Sequence, residues 1–187
     1  ENLVKYLAQN TGNIISAKKI SDYLKSQKQS ISHQVVLNYL SNLQEAFLIF
    51  KVKRKDIIGK RIFELNEKYY FEDWGIKNAI VGFKQQLINQ VIENIIYIHL
   101  KICAYEITVG KFNEYEIDFV AEKNGETVYI QAAYIITDDK VKEREFGNLL
   151  KIDDNWQKIV VSTDEFTLKN YKGIKHLNLK EFLTNFK

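Results

Sequence analysis

The segment EIDFVAEKNGETVYIQAAY, residues 116–134, gathers groups that could do chemistry. Asn124-Gly125 at its centre signals a two-residue turn, because a type I′ turn needs positive φ at both central positions. Counting outward pairs Lys123 with Glu126, Phe119 with Ile130, Asp118 with Gln131 and Glu116 with Ala133. Side chains alternate across a strand, so Ile117, Phe119 and Ala121 are expected to share an apolar face with Val128, Ile130 and Ala132. The opposite face then carries Glu116, Asp118, Tyr129, Gln131 and Ala133. An acid and an amide standing directly opposite are close enough to share one ligand.

A second set of residues offers electrostatics. The stretch FLIFKVKRKDIIGKRIFEL, residues 47–65, reads as an apolar strand, a basic loop and a returning strand. Its Lys51, Lys53, Arg54, Lys55, Lys60 and Arg61 could neutralise phosphates. Three helical patterns precede it. The first, over 1–9, turns Leu3, Val4 and Leu7 inward and breaks at Thr11-Gly12-Asn13. The second, over 17–27, is capped by Ser16 and buries Ile20, Tyr23 and Leu24. The third, over 33–46, follows the Ser30-Ile31-Ser32 cap signal and is expected to bury Val36, Tyr39, Leu40 and Leu43. Its other side carries His33, Gln34, Asn38, Ser41 and Asn42, polar and mostly uncharged. Three helices and a hairpin are the order of a winged helix, and amide or hydroxyl side chains on a recognition helix can reach base edges.

The acid–amide hairpin needs other elements to hold it. A helix over 85–103 carries an apolar face of Leu87, Ile88, Val91, Ile92, Ile95, Ile96 and Ile102, interrupted by Glu93 and His99. His99 reads as a hydrogen-bonded helix histidine rather than a metal ligand, and Cys103 as a small buried hydrophobe. A strand over 105–109 leads into the hairpin. A helix over 138–150, a buried strand over 158–162, a short strand over 174–177 and a helix over 179–186 follow. The order α-β-β-β-α-β with apolar strands predicts a mixed sheet flanked by helices, an α/β (α+β) fold. Because the pattern changes near residue 80, two domains are expected, 1–80 and 81–187.

Composition narrows the class. A chain of 187 residues with 45% hydrophobic and 13% aromatic residues suits a packed globular protein. No apolar run approaches the ~20 residues that span a bilayer, so no membrane partner is expected. The N-terminal ENLVKYLAQN lacks a signal-peptide layout. A single cysteine cannot form an internal disulfide, which points to a reducing, cytoplasmic setting. The chain opens on Glu and contains no Met, so a piece of a longer protein or a processed form is expected. Residues 1–80 hold 13 Lys/Arg against 8 Asp/Glu, net +5, and residues 81–187 hold 14 against 16, net −2. The basic excess lies in the part with the winged-helix order.

A helix with Glu93, a strand with Asp118 and a paired strand with Gln131-x-Ala133 resemble the PD-(D/E)XK, restriction-endonuclease-like fold. That family sets a helix Glu, then Asp, then Glu-x-Lys on the next strand. More narrowly, EAFLIFKVKR, KYYFEDWGIKNAIVG, VIENIIYIHL, EIDFVAEKNGETVYIQ and EREFGNLLKI together resemble the C-terminal region, domain of unknown function 4143, of bacterial predicted AAA-type ATPases. The resemblance implies an N-terminal ATPase domain as a partner within the same protein. The chain itself has no P-loop, since Gly59-Lys60 and Gly110-Lys111 are followed by Arg61 and Phe112. ATP is therefore expected to act only through that other domain.

The resemblance also implies a site of Glu93, Asp118, Gln131 and Ala133, with Glu93 and Asp118 as Mg²⁺ ligands. Gln131 stands where the family has its second acid, and Ala133 where it has its lysine. Carboxylates hold the hard cation, and the metal with a lysine stabilises charge on the phosphate. A neutral amide and a methyl group weaken both, so weak Mg²⁺ binding at most and a degenerate nuclease are expected. Lys111, Lys142 and Glu116 are the residues from which a rearranged site could borrow. Three functions compete: a non-catalytic nucleic-acid-targeting region of an ATPase, an active nuclease with a rearranged site, and a protein-interaction or dimerisation module that forms a homo-oligomer.

Overall fold

A computed structural model describes residues 1–187, apart from the side chains of Glu64 and Leu65. The chain divides into two compact units: Glu1–Arg54 with Phe63–Gln85, and Lys55–Ile62 with Gln86–Lys187.

The first unit begins with three helices, α1 (Asn2–Gln9), α2 (Ala17–Ser26) and α3 (His33–Glu45). The Ser16 hydroxyl accepts the Lys19 N–H at 3.2 Å and the Ser32 hydroxyl accepts the Val35 N–H at 3.4 Å, which fixes where α2 and α3 start. Strands β1 (Ile49–Asp56) and β2 (Ile62–Phe71) form the hairpin, and α4 (Trp74–Val81) follows, capped by Asp73. Leu7, Ile20, Leu24, Val36, Leu40, Ile49 and Phe71 close the core. Tyr39 departs from expectation. It is 46% exposed, because α3 buries only Val36 and Leu40 and Tyr39 lies on the flank of that narrow stripe.

The second unit is a mixed sheet between helices. After a 3₁₀ turn (Gln85–Leu87) come α5 (Ile88–Ile102), β3 (Glu106–Phe112), β4 (Tyr115–Lys123), β5 (Glu126–Ala132), α6 (Asp139–Leu150) and β6 (Gln157–Ser162). The expected α-β-β-β-α-β order is thus present, and β7 (Lys169–Tyr171), β8 (Ile174–Asn178) and α7 (Leu179–Asn185) complete it. The strands run β3-β4-β5-β6-β8-β7 across the sheet. The β3–β4 and β4–β5 pairs are antiparallel, while β5–β6 and β6–β8 are parallel. The hairpin tip, 55–62, also belongs here, and the Ile57 N–H donates to the Lys111 carbonyl at 2.9 Å.

Helices cover both faces. On one, Tyr97 of α5 packs its ring 6.4 Å from that of Phe119. On the other, Phe146 and Leu149 of α6 close over Ile117, Val120 and Tyr129. Two burial expectations on α5 fail. Ile102 is 77% exposed, at the last turn where the helix outruns the sheet, and Cys103 is only half-buried in the turn beyond. Ile92 and Ile96 of the expected face are buried, and Asn94, Tyr97 and Leu100 join them, so the inward stripe is wider on that side than the isoleucine-rich one.

The register of the β4–β5 hairpin follows from its turn: Asn124 and Gly125 both have positive φ, and Lys123↔Glu126 through Phe119↔Ile130 pair as expected. Beyond Phe119 the expected pairings of Asp118 with Gln131 and of Glu116 with Ala133 are not formed. Thr108 pairs with Val120 but Gly110 with Ile117, so Val109 faces two residues, Asp118 and Phe119. This β-bulge turns Ile117 to the α6 side, away from Phe119 and Ala121, with which it was expected to share a face. Beta5 meanwhile pairs with β6, and the Ala133 N–H donates to the Val161 carbonyl at 2.9 Å.

A closed acid corner and a candidate nucleic-acid interface

The bulge leaves the end of β4 and β5 held by side chains. Asp118 is 8% exposed, and its Oδ2 accepts the Ala132 N–H at 2.9 Å. The Asp118 N–H in turn lies 3.4 Å from Gln131 Oε1, to which it donates. The acid and the amide therefore do meet, but to tie two diverging strands together.

A residue that the sequence reading left out completes the corner. Glu145 of α6 is 6% exposed, and Arg144 donates to its Oε1 from Nε at 2.8 Å and from Nη2 at 2.6 Å. Burial pushes the Glu145 pKa above the ordinary carboxylate value, the Arg144 hydrogen bond and charge oppose that shift, and the Asp118 charge adds to it. The sequence signal was the EREF stretch. On the α6 pattern, Glu145 falls beside Phe146 and Leu149, where an acid has to find a partner.

These donors do not fit a catalytic Mg²⁺ site. One Asp118 oxygen is engaged by backbone, Gln131 is neutral, and Glu145 is already neutralised by a guanidinium. Ala133 is buried and offers neither charge nor proton. Glu93 sits half-buried on α5. Of the residues from which a rearranged site could borrow, Lys142 pairs with Asp139 at 3.6 Å and lies over the Tyr171 ring. Among the described residues no group of three or more His, Cys, Asp or Glu side chains is placed to hold a metal ion.

Two histidines carry hydrogen bonds. His99 Nε2 lies 2.8 Å from the Phe186 carbonyl, to which it donates, with its ring edge-on to Phe182. The second belongs to a constellation that imitates a nucleophilic triad. Ser162 Oγ lies 2.8 Å from His176 Nε2 and 2.7 Å from Asp164 Oδ2. His176 Nδ1 accepts the Leu168 N–H at 3.1 Å, so Nε2 is the protonated nitrogen and donates to Ser162. The serine then gives its own proton to Asp164. A serine nucleophile needs the opposite polarity, with the histidine as acceptor. Burial also lowers the His176 pKa, with Asp164 opposing, and Ser162 is fully buried. The three hold the ends of β6 and β8 and the loop after β6.

The first unit presents a different surface. Alpha3 leaves His33, Gln34, Leu37, Asn38 and Ser41 exposed along the side opposite Val36 and Leu40. Lys51 and Lys53 of β1 are exposed, Lys51 at 4.0 Å from Glu67. The Arg54 guanidinium lies 5.5 Å from the centre of the Phe63 ring. In the second unit Lys55 is committed to Glu122 at 2.5 Å, while Lys60 and Arg61 are exposed. Within the basic set of the hairpin, Lys53 and Lys60 are exposed and Lys55 is ion-paired to Glu122.

Residues 1–87 match the family described as a domain of unknown function (DUF8612), a different one from that which the motifs resemble. An uncharacterised protein of Haemophilus influenzae is 33% identical over 183 residues, covering 98% of this chain and 45% of that protein. An uncharacterised protein of Methanocaldococcus jannaschii is 29% identical over 163 residues, 82% of this chain and 36% of that protein. No solved structure matches the chain significantly. No helix among the described residues is long and apolar enough to cross a membrane. The chain spans less than half the length of these curated relatives.

Proposed function

We propose that this chain is a non-catalytic, duplex-DNA-binding region that targets a larger cytoplasmic ATPase, and that its nuclease-like unit has lost its chemistry. The observation that carries the reading is α3, which buries two side chains and turns His33, Gln34, Asn38 and Ser41 outward. A helix that thin in core contacts, uncharged on its outer face and set among exposed lysines has the form of one that enters a groove. Exposed Lys51 and Lys53, with Lys18, Lys19, Lys25 and Lys28 on and after α2, supply charge for phosphates. The ATPase link rests on the resemblance of the motifs and on relatives about twice this length.

The Asp118 corner supports a loss of chemistry. A rearranged nuclease would have Glu145 in its favour as a second carboxylate, but Arg144 holds that charge. The exposed apolar side chains of α3, Val35, Leu37 and Tyr39, favour the runner-up, a protein-interaction surface.

The test incubates the chain with labelled duplex and with supercoiled plasmid in Mg²⁺ or Mn²⁺, beside Asp118→Ala and the double variant Gln131→Glu with Ala133→Lys. Wild type is expected to shift the duplex and leave the plasmid intact. Cutting by wild type that Asp118→Ala abolishes would show a living site. Absence of any duplex binding at low salt would favour the interaction reading.

A further inference from the structure

We infer that α3 reads adenine·thymine pairs in the major groove through Gln34 and Asn38, an inference that rests on the DNA-binding reading above. The two amides stand four residues apart on one helix face, both exposed, and among the described residues neither has a hydrogen-bond partner. An asparagine or glutamine amide is matched bidentately by the N6 donor and N7 acceptor of adenine, a pattern that no other base shows in the major groove. Leu37 lies between them on the same face and is 44% exposed, placed for the C5-methyl of thymine. Four helical residues advance about 6 Å. That is close to two base steps of about 3.4 Å, so the two amides fit adenines about two pairs apart.

Charge supports duplex DNA as the occupant. The outer face of α3 carries no lysine or arginine to compete with the amides for guanine, and its first turn has no acid to repel phosphate. Glu45, bonded by the Ser41 hydroxyl at 3.3 Å, closes the far end of the face and limits the reading surface to its N-terminal half. The cations lie off this face: Lys18 and Lys19 open α2, and Lys51 and Lys53 lie on β1. This arrangement separates base reading from phosphate anchoring.

The experiment is selection of bound duplexes from a random pool by the 187-residue chain, followed by affinity measurements on the enriched and scrambled sequences, with solution mass recorded on the same samples. The variants are Gln34→Ala, Asn38→Ala and Lys53→Ala. All three residues are exposed, and thermal melting confirms that each variant folds. Enrichment of two A·T pairs about two steps apart is expected. Asn38→Ala should lower the preference for enriched over scrambled duplex roughly tenfold, the worth of one bidentate base contact. Lys53→Ala should weaken both duplexes alike. Binding with no A·T preference, or a preference that survives both amide substitutions, overturns base reading by α3 while leaving DNA binding intact. No duplex binding, with self-association that Leu37→Glu abolishes, overturns both and makes the face a contact between copies of this chain.

Discussion

The residues at the Asp118 corner show how an acid pair becomes a structural device. Asp118 accepts a backbone N–H across diverging strands, and Glu145 is held by Arg144. Because burial raises the Glu145 pKa, the folded chain keeps a proton that the unfolded chain has released once pH passes the ordinary value of 4.5. Stability from this group is therefore present below that value and falls as pH rises through the folded pKa. Glu145→Gln should remove that dependence, gaining on wild type as pH rises above 4.5 in urea midpoints. Equal pH profiles for the two proteins would contradict the account. That Asp118 and Gln131 lie near each other was legible from the Asn124-Gly125 turn, but their direct pairing is not formed, because the β4–β5 ladder ends at Phe119↔Ile130. Glu145 was not legible, because it arrives from another element and only the packing of α6 on the sheet brings it there.

At the scale of elements, periodicity located every helix of the first three and the core order of the second unit, within a few residues at the ends. It misjudged orientation where a helix has a surplus of apolar residues. Tyr39 and Ile102 both sit on helices richer in hydrophobes than their buried stripes require. The bulge in β4 was beyond reach for another reason: it depends on β3, where Gly110 lets Ile117 and Val120 approach. A Cβ on Gly110 would come within 2.9 Å of the Ile117 Cβ, the Ile57 Cδ1 and the Val120 Cγ2. Gly110→Ala should cost about 1–3 kcal/mol by overpacking, read from denaturant unfolding, and an unchanged midpoint would show that the strands can part without loss. Ser32→Ala removes the α3 cap and should cost about 1 kcal/mol, with amide exchange rising first at the start of α3. Protection unchanged there would mean that tertiary contacts alone hold the helix start.

Over the whole molecule, charge and chemistry are divided. The net +5 of residues 1–80 accompanies an exposed helix and lysines, while the net −2 of residues 81–187 accompanies a sheet in which Asp118 and Glu145 are engaged by its own backbone and by Arg144. The central claim is that this chain holds duplex DNA by phosphate contacts around α3 and does not cut it. It is met most directly by one titration: affinity for a fixed duplex against salt, in Mg²⁺, with the DNA checked for nicks at each point. Phosphate anchoring predicts a linear fall of log affinity with log salt, at about 0.9 per contact. The slope should flatten by about that amount in Lys53→Ala and stay unchanged in Lys55→Ala, whose lysine is committed to Glu122, with the duplex intact throughout. A flat salt dependence, or nicked duplex in the wild-type samples, would contradict the claim.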